Sequence, residues 1–477
     1  MKKNEKIYEL FSKLNGIPRA SHHEEKVAYF LCQYAEGLGL EYDRDAENCV
    51  VIRKPATPGY ETAEPVVLLN HMDMVAVGDG TREFDPLKDG IEAYTEDGWM
   101  KARGTSLGAD NGIGLSMALA VLADDTIAHP ALEVLTTTNE EDGMSGATAM
   151  SKDFIGGRKV INLDSEDYDT ITVGSAGAYL QFAKLPAERV AAADSLSFYK
   201  IQISGGLGGH SGVDIAKGRI NAIRELCVIL SIGKQLCSPS LTLAQINGGD
   251  ASASIPGNCT AIVGVNEGEA ETLIYFINSH AENIKEVYAE EPNLVVTIEK
   301  TDYDGTVISS GEKIIRLIAN LYTGVLLMRD DIPDTPMTSN NIGIVRTENN
   351  HVLVSCHTRS FDDKEMEAVA TDYTKQFQSV GGDVEIVMNT PGWQENQDSE
   401  YLKLVDQTFV DVLGFSPRKV AMHFVLEAGY YVQKFPGIEI ACIGPRIIEP
   451  HSTKERVELS TVDNIYKVLI ELLDRMK

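Results

Sequence analysis

The pattern that most narrows the fold is a set of short apolar runs, at 66–69, 131–135, 160–163 and 438–443, alternating with helix-period stretches such as 115–122. Runs of this kind form strands buried on both faces. The helices between them supply the cover, so the expected class is α/β with a mixed, mostly parallel sheet. The middle of the chain reads differently. Runs at 200–203, 241–246, 261–265, 294–298, 342–345 and 352–356 resemble half-exposed strands with longer helices between them, and 340–360 reads as a hairpin turning at Glu348, Asn349 and Asn350. A chain of 477 residues exceeds the about 250–300 at which single cores stop growing. Two domains are expected: a discontinuous one of 1–177 and 390–477, and an inserted α+β one of 178–389. Glycine-rich GSAGA at 174–178 and NTPGW at 389–393 are the expected crossing points. The strand-helix-strand order of 200–265 recurs loosely in 294–388, without residue-level similarity.

Hydrophobic residues make up 43% and charged residues 24% of the chain, the balance of a soluble globular protein. Asp and Glu total 71 against 42 Lys and Arg, a net charge of -29. That field repels phosphate backbones and anionic headgroups, so neither nucleic acid nor a membrane is expected as a partner. No run approaches the roughly 18 apolar residues of a membrane span. Lys2 and Lys3 are not followed by the apolar core of a secretory signal; Ile7, Leu10, Phe11 and Leu14 instead have helical spacing. The seven cysteines are scattered and form no CxxC pair, which argues against a disulfide framework and a thiolate zinc site and fits a reducing cytoplasm.

Five stretches carry candidate chemistry. VVLLNHMDMV is an apolar strand ending in His71 and Asp73, whose alternation points both to one face, where the carboxylate can hold the second nitrogen of a metal-bound imidazole. RGTSLGADNGIG brings Asp110 to a helix start among glycines that allow close approach of backbone to a ligand. In LEVLTTTNEEDGMSGA a strand gives way to Glu140 and Glu141, in KVINLDSED to Asp164, and in IACIGPRIIEPHS to a loop carrying His451. Each alone has an ordinary reading as a cap, a solvated loop or a structural histidine. Five of one kind at strand ends or helix starts of one α/β domain point to a ligand site, since open α/β sheets bind ligands there. His71, Asp110, Glu141, Asp164 and His451 offer nitrogen and hard oxygen donors suited to zinc and tolerant of manganese or cobalt. If Asp110 bridges, His71 and Asp164 complete one three-ligand site, and Glu141 and His451 the other. Two divalent ions against three carboxylates leave a formal charge of about +1, which favours a hydroxide between metals roughly 3.5–4 Å apart as nucleophile.

Together, HMDMV, GTSLGADNGIG, TTTNEEDGMSGA, NLDSED, GGHSGVDI and IGPRIIEPHS resemble the aminoacyl-histidine dipeptidases, within a wider family of two-zinc aminoacylases and exopeptidases. The resemblance runs over nearly the whole chain. It implies hydrolysis of the amide bond of dipeptides, Xaa-His or of broad specificity, with the five ligands as above, Asp73 orienting His71, and Glu140 as general base and acid. It also implies a cis peptide bond after Asp110 and a homodimer with the inserted domain as lid and dimerisation unit. There His210 of GGHSG would polarise the scissile carbonyl and Arg359 of HTRSF would receive the substrate carboxylate; Glu427 of LEAG would meet the α-amine. Two positions depart from the pattern: Ala253 stands where an amide side chain is expected, and Val425 where glycine is usual. An acylase acting on N-acyl amino acids would use the same metal chemistry and differ at the amine. A binding protein that has lost turnover is disfavoured by the presence of all five ligands and Glu140.

Overall fold

The computed structural model describes residues 4–303, 305–394, 396 and 398–477, so Lys2 and Lys3 lie outside the described residues. The chain forms two compact units, Met1–Gly174 with Glu395–Val420 and Glu427–Lys477, and Ser175–Gln394 with Ala421–Leu426. The first crossing lies within GSAGA and the second just past NTPGW. Residues 421–426, expected with the discontinuous domain, belong to the other unit instead. The cause is local pairing: Ala176 N–H donates to the Met422 carbonyl, and the His423 ring meets Ser339 Oγ at 2.7 Å.

The first unit is built on an eight-stranded sheet ordered Glu41–Arg44, Val50–Lys54, Leu132–Thr137, Val66–His71, Lys159–Asn162, Glu439–Cys442, Thr170–Ser175 and Arg418–Met422. Its central strands, from Leu132–Thr137 to Glu439–Cys442, run parallel, with antiparallel pairings beside them. Val66–His71 and Leu132–Thr137 are buried at every residue, as expected of largely apolar strands covered on both faces. The helix Glu5–Asn15 contributes Ile7, Leu10, Phe11 and Leu14 to the core, at the spacing read from the sequence. The helix Ala109–Ala123 is buried on nearly all sides, and Leu459–Arg475 adds Val462, Ile465, Leu469 and Leu472. Parallel register puts His71 opposite Thr137, and Leu69 opposite Asn162. The loops after these strands therefore leave from one edge of the sheet.

The second unit is a nine-stranded antiparallel sheet containing two nested copies of one strand-helix-strand-strand-helix-strand motif. One copy is Leu196–Ser204, helix Ala222–Leu236, Thr242–Gly248, Cys259–Asn266, helix Glu267–Val287 and Val295–Lys300. The other is Gly177–Pro186, helix Gly311–Asn320, Pro336–Thr347, His351–Ser360, helix Asp363–Ser379 and Asp383–Thr390. Each copy orders its strands fourth, first, third, second, and the two second strands pair to join the halves. The recurrence expected over 294–388 is real but begins at 177. One copy is inserted after the first strand of the other, so Val295–Lys300 belongs to the earlier copy. The hairpin at Glu348, Asn349 and Asn350 forms as expected, closed by Glu348 N–H to the His351 carbonyl at 2.8 Å. No described helix is long and apolar enough to cross a membrane.

Candidate metal centre

In the first unit the loops leaving the sheet edge converge. His71 Nε2 lies 3.0 Å from Asp110 Oδ1 and 3.4 Å from Asp164 Oδ1. The other Asp110 oxygen lies 3.0 Å from His451 Nε2, which is 2.9 Å from Glu141 Oε2. Asp110 thus stands between two imidazoles with one oxygen for each. Donor atoms of His71, Asp110 and Glu141 fall within 4.8 Å of one another, and Glu141 Oε1 is buried without a hydrogen-bond partner among the described residues. Two nitrogens, three carboxylates and an orphaned buried oxygen fit a pair of divalent cations.

The electrostatics agree with that fit. Burial pushes the carboxyls of Glu140 and Asp164 well above the usual range; His71 opposes this, and neighbouring carboxylates add to it. At Asp110 burial acts the same way, but hydrogen bonds from His451 and His71 outweigh it and hold the group low. So many buried acids in one place resist joint ionisation unless cations neutralise them.

Positioning groups surround the cluster. Asp73 lies 3.3 Å from His71 Nδ1, accepts the backbone N–H groups of Glu140 and Glu141 at 3.1 and 3.2 Å, and takes a hydrogen bond from Ser21 at 2.8 Å. One carboxylate thereby steadies an imidazole and the acidic loop together. The Asp110–Asn111 peptide is cis. Sequence reasoning missed two further groups. Glu455, 3% exposed, accepts four successive backbone N–H groups, of Leu107, Gly108, Ala109 and Asp110, at 2.7–3.3 Å. Buried Arg19 donates to the carbonyls of Met72, Asp73 and Gly108 at 3.2, 2.8 and 2.5 Å. Gly108 has φ of +67°, and a Cβ there would collide with Arg19 and Met74, so only glycine fits. The sole sequence signal for Glu455 was its place four residues after His451; Arg19 had none.

Glu427 also lies in the first unit. Its Oε2 accepts from Thr137 at 3.0 Å and Tyr431 at 3.4 Å, its Oε1 is buried without a partner among the described residues, and burial raises its pKa to about 7. His210 and Arg359 come together in the second unit. His210 Nδ1 accepts the backbone N–H groups of Gly212 and Val213 at 3.2 and 3.1 Å, which assigns the proton of the neutral ring to Nε2. Burial and the Arg359 charge keep that ring neutral. Arg359 is 3% exposed; its Nε and Nη2 reach Ser211 Oγ at 3.4 Å, and no carboxylate pairs with it among the described residues. Ser211 N–H donates to the Ala253 carbonyl at 2.8 Å. Two buried histidines of this neighbourhood, His357 and His423, were not foreseen.

The profile of Peptidase family M20/M25/M40 matches residues 67–475, a span that takes in every expected ligand from His71 to His451. The chain belongs to that family. This M20/M25/M40 peptidase is 34% identical over 470 residues to the cytosol non-specific dipeptidase of Escherichia coli strain K12, covering 98% of this chain and 96% of that one. The crystal structure of aminoacylhistidine dipeptidase from Vibrio alginolyticus matches it with a TM-score of 0.92 at 31% identity, over 99% and 98% of the two chains. A tripeptidase from Staphylococcus aureus shares the fold at 17% identity, with a TM-score of 0.62 over 99% and 98%. The M20/M25/M40 peptidase is accordingly a metal-dependent hydrolase with an α/β body and an inserted α+β lid unit.

Proposed function

We propose that this peptidase hydrolyses the amide bond of dipeptides that carry a free α-amine and a free carboxylate, with two divalent ions, zinc first and manganese or cobalt as substitutes. The observation that carries the reading is Asp110, with one oxygen toward His71 and the other toward His451. Held there, the two ions would supply Lewis-acid activation of the scissile carbonyl and of a water. His71, Asp110 and Asp164 would hold one, and Asp110, Glu141 and His451 the other.

The chain's own groups divide the remaining work. Glu140 takes a proton from the attacking water and delivers it to the leaving amine. Asp73 keeps Glu140 in place through its backbone N–H and His71 through the 3.3 Å contact with Nδ1. His210 presents Nε2–H to the charge developing on the carbonyl oxygen, and a neutral donor held by two backbone amides is suited to that task. Arg359 receives the carboxylate, and the free Oε1 of Glu427 accepts from the α-amine.

The names of the Escherichia coli and Vibrio alginolyticus relatives support dipeptides as substrates. A cytoplasmic location is supported by seven free cysteines and by the word cytosol in the name of the Escherichia coli relative. A homodimer formed through the inserted unit is supported by the edge strand Asp383–Thr390, which exposes Ile386, Val387 and Met388; unpaired apolar edges invite a partner. The deciding assay is a panel of dipeptides, tripeptides and N-acetylated amino acids tested with zinc, manganese and cobalt. Dipeptides should be cleaved and their N-acetylated forms spared; cleavage of N-acetyl amino acids alone would make the enzyme an acylase.

A further inference from the structure

We propose that His357 is a specificity-determining residue which, beside Arg359, hydrogen-bonds the carboxylate of the substrate's C-terminal residue. The inference rests on the dipeptide reading and adds a residue to it. His357 and Arg359 are alternate residues of the strand His351–Ser360, so both side chains leave the same face. They are 4% and 3% exposed. Neither ring nitrogen of His357 has a hydrogen-bond partner of good geometry among the described residues, although the Ser252 backbone lies beside the ring.

A guanidinium without a carboxylate partner and an imidazole without a well-placed hydrogen bond, among the described residues, thus share one buried face. The guanidinium, bonded only to the Ser211 hydroxyl, and the imidazole each keep a desolvation penalty that no carboxylate among the described residues relieves. A single carboxylate relieves both: one oxygen accepts from the guanidinium and the other from a ring N–H. Arg359 and His210 add to burial in keeping His357 uncharged, so the fixed charge of the cluster is that of Arg359, and one anion balances it. Ala253, whose carbonyl binds the Ser211 amide, brings only a methyl group.

The test is equilibrium binding to the zinc-loaded enzyme of a reduced-amide dipeptide, which resists hydrolysis, and of the same compound with its C-terminus amidated. The native enzyme should prefer the acid. His357→Phe should weaken the acid by roughly 10- to 100-fold, the loss of one hydrogen bond to a charged group, and change the amide by less than about twofold. His357→Asn should recover part of the loss, because an amide restores a donor. Metal content and melting temperature, read on both variants, separate this from general damage; if the Phe variant does not fold, the Asn and Gln variants answer the same question. Equal weakening of acid and amide overturns the assignment, as does no weakening of either. A native enzyme that prefers the acid but cleaves no dipeptide keeps the subsite and loses the dipeptidase reading; one that binds neither compound loses both.

Discussion

In the first unit Asp110, Glu141 and Asp164 crowd around two imidazoles, and Glu140 and Glu427 add acid to the same buried neighbourhood. In the second unit Arg359 is buried beside three histidines whose pKa values are all pushed down, and no carboxylate pairs with it among the described residues. The two clusters are unbalanced in opposite senses. Burial makes each imbalance expensive, so the first cluster suits cations and the second an anion.

The strongest challenge to the first cluster is Asp110→Ala. Removing the group shared by both imidazoles should abolish activity and release or scramble both ions, read by elemental analysis; two tightly held metals in this variant would remove Asp110 from the bridge. Glu140→Gln should keep both metals and lower turnover by about 10²- to 10⁴-fold, since an amide cannot shuttle the proton. A near-normal rate at full metal loading would remove Glu140 from its role. In the second cluster, His210→Ala should lower kcat by about 10²- to 10³-fold with metal content intact and KM less affected, as expected of a donor to developing charge. Should the proposed dimer form, hybrids of the inactive His210→Ala and Glu140→Gln chains sharpen the picture: regained activity assigns His210 to the partner's site, and none in verified hybrids keeps it in its own.

Glu455→Gln tests a group that touches no proposed metal. Its effect should be weaker metal binding, by about 10- to 100-fold in chelator competition, from loosening the Asp110 loop. Unchanged affinity with a lowered melting temperature would make Glu455 a stabilising residue only. The smallest expected effect is on pH dependence in the second unit. Burial lowers the pKa of His423 to about 3, with Arg359 and His210 adding to it and Pro336 opposing. The unfolded chain, with a pKa near 6.5, takes up the proton first as pH falls. Stability present at neutral pH is therefore lost from about 6.5 downward, at about 1.4 kcal/mol per pH unit, or about 2 kcal/mol by pH 5. Thermal melts at pH 7 and 5 should show a shallower acid loss in His423→Gln than in the native chain; identical slopes would exclude His423 as a contributor.

The groups legible in the sequence were those whose position in an element announces them. His71, Asp73, Asp110, Glu140, Glu141, Asp164 and His451 follow apolar strands or open a helix, and strand alternation alone puts His71 and Asp73 on one side. Arg19 and Glu455 act through backbone atoms about 54 and 345 residues away, and neither has a local pattern to betray it. His357 and His423 look like ordinary strand and loop histidines until the fold buries them beside Arg359. The same holds for architecture. Parallel central strands were readable from runs such as VVLL, and the hairpin from its turn residues. The nesting of one motif inside another was not, because the inserted copy separates strands that belong together.

Glu455 carries an implication for how the protein is made. Its carboxylate gathers the amides of the loop bearing Asp110, and His451 sits four residues before it, so part of the proposed centre is synthesised about 345 residues after the loop it anchors. A ribosome-bound chain that has already emitted His71, Asp110, Glu141 and Asp164 lacks both the final imidazole and the anchor for the shared carboxylate. Premature termination anywhere before residue 451 would leave a product that cannot assemble the full proposed ligand set. Ion uptake by the complete proposed centre would therefore wait until residues 451–455 have been added.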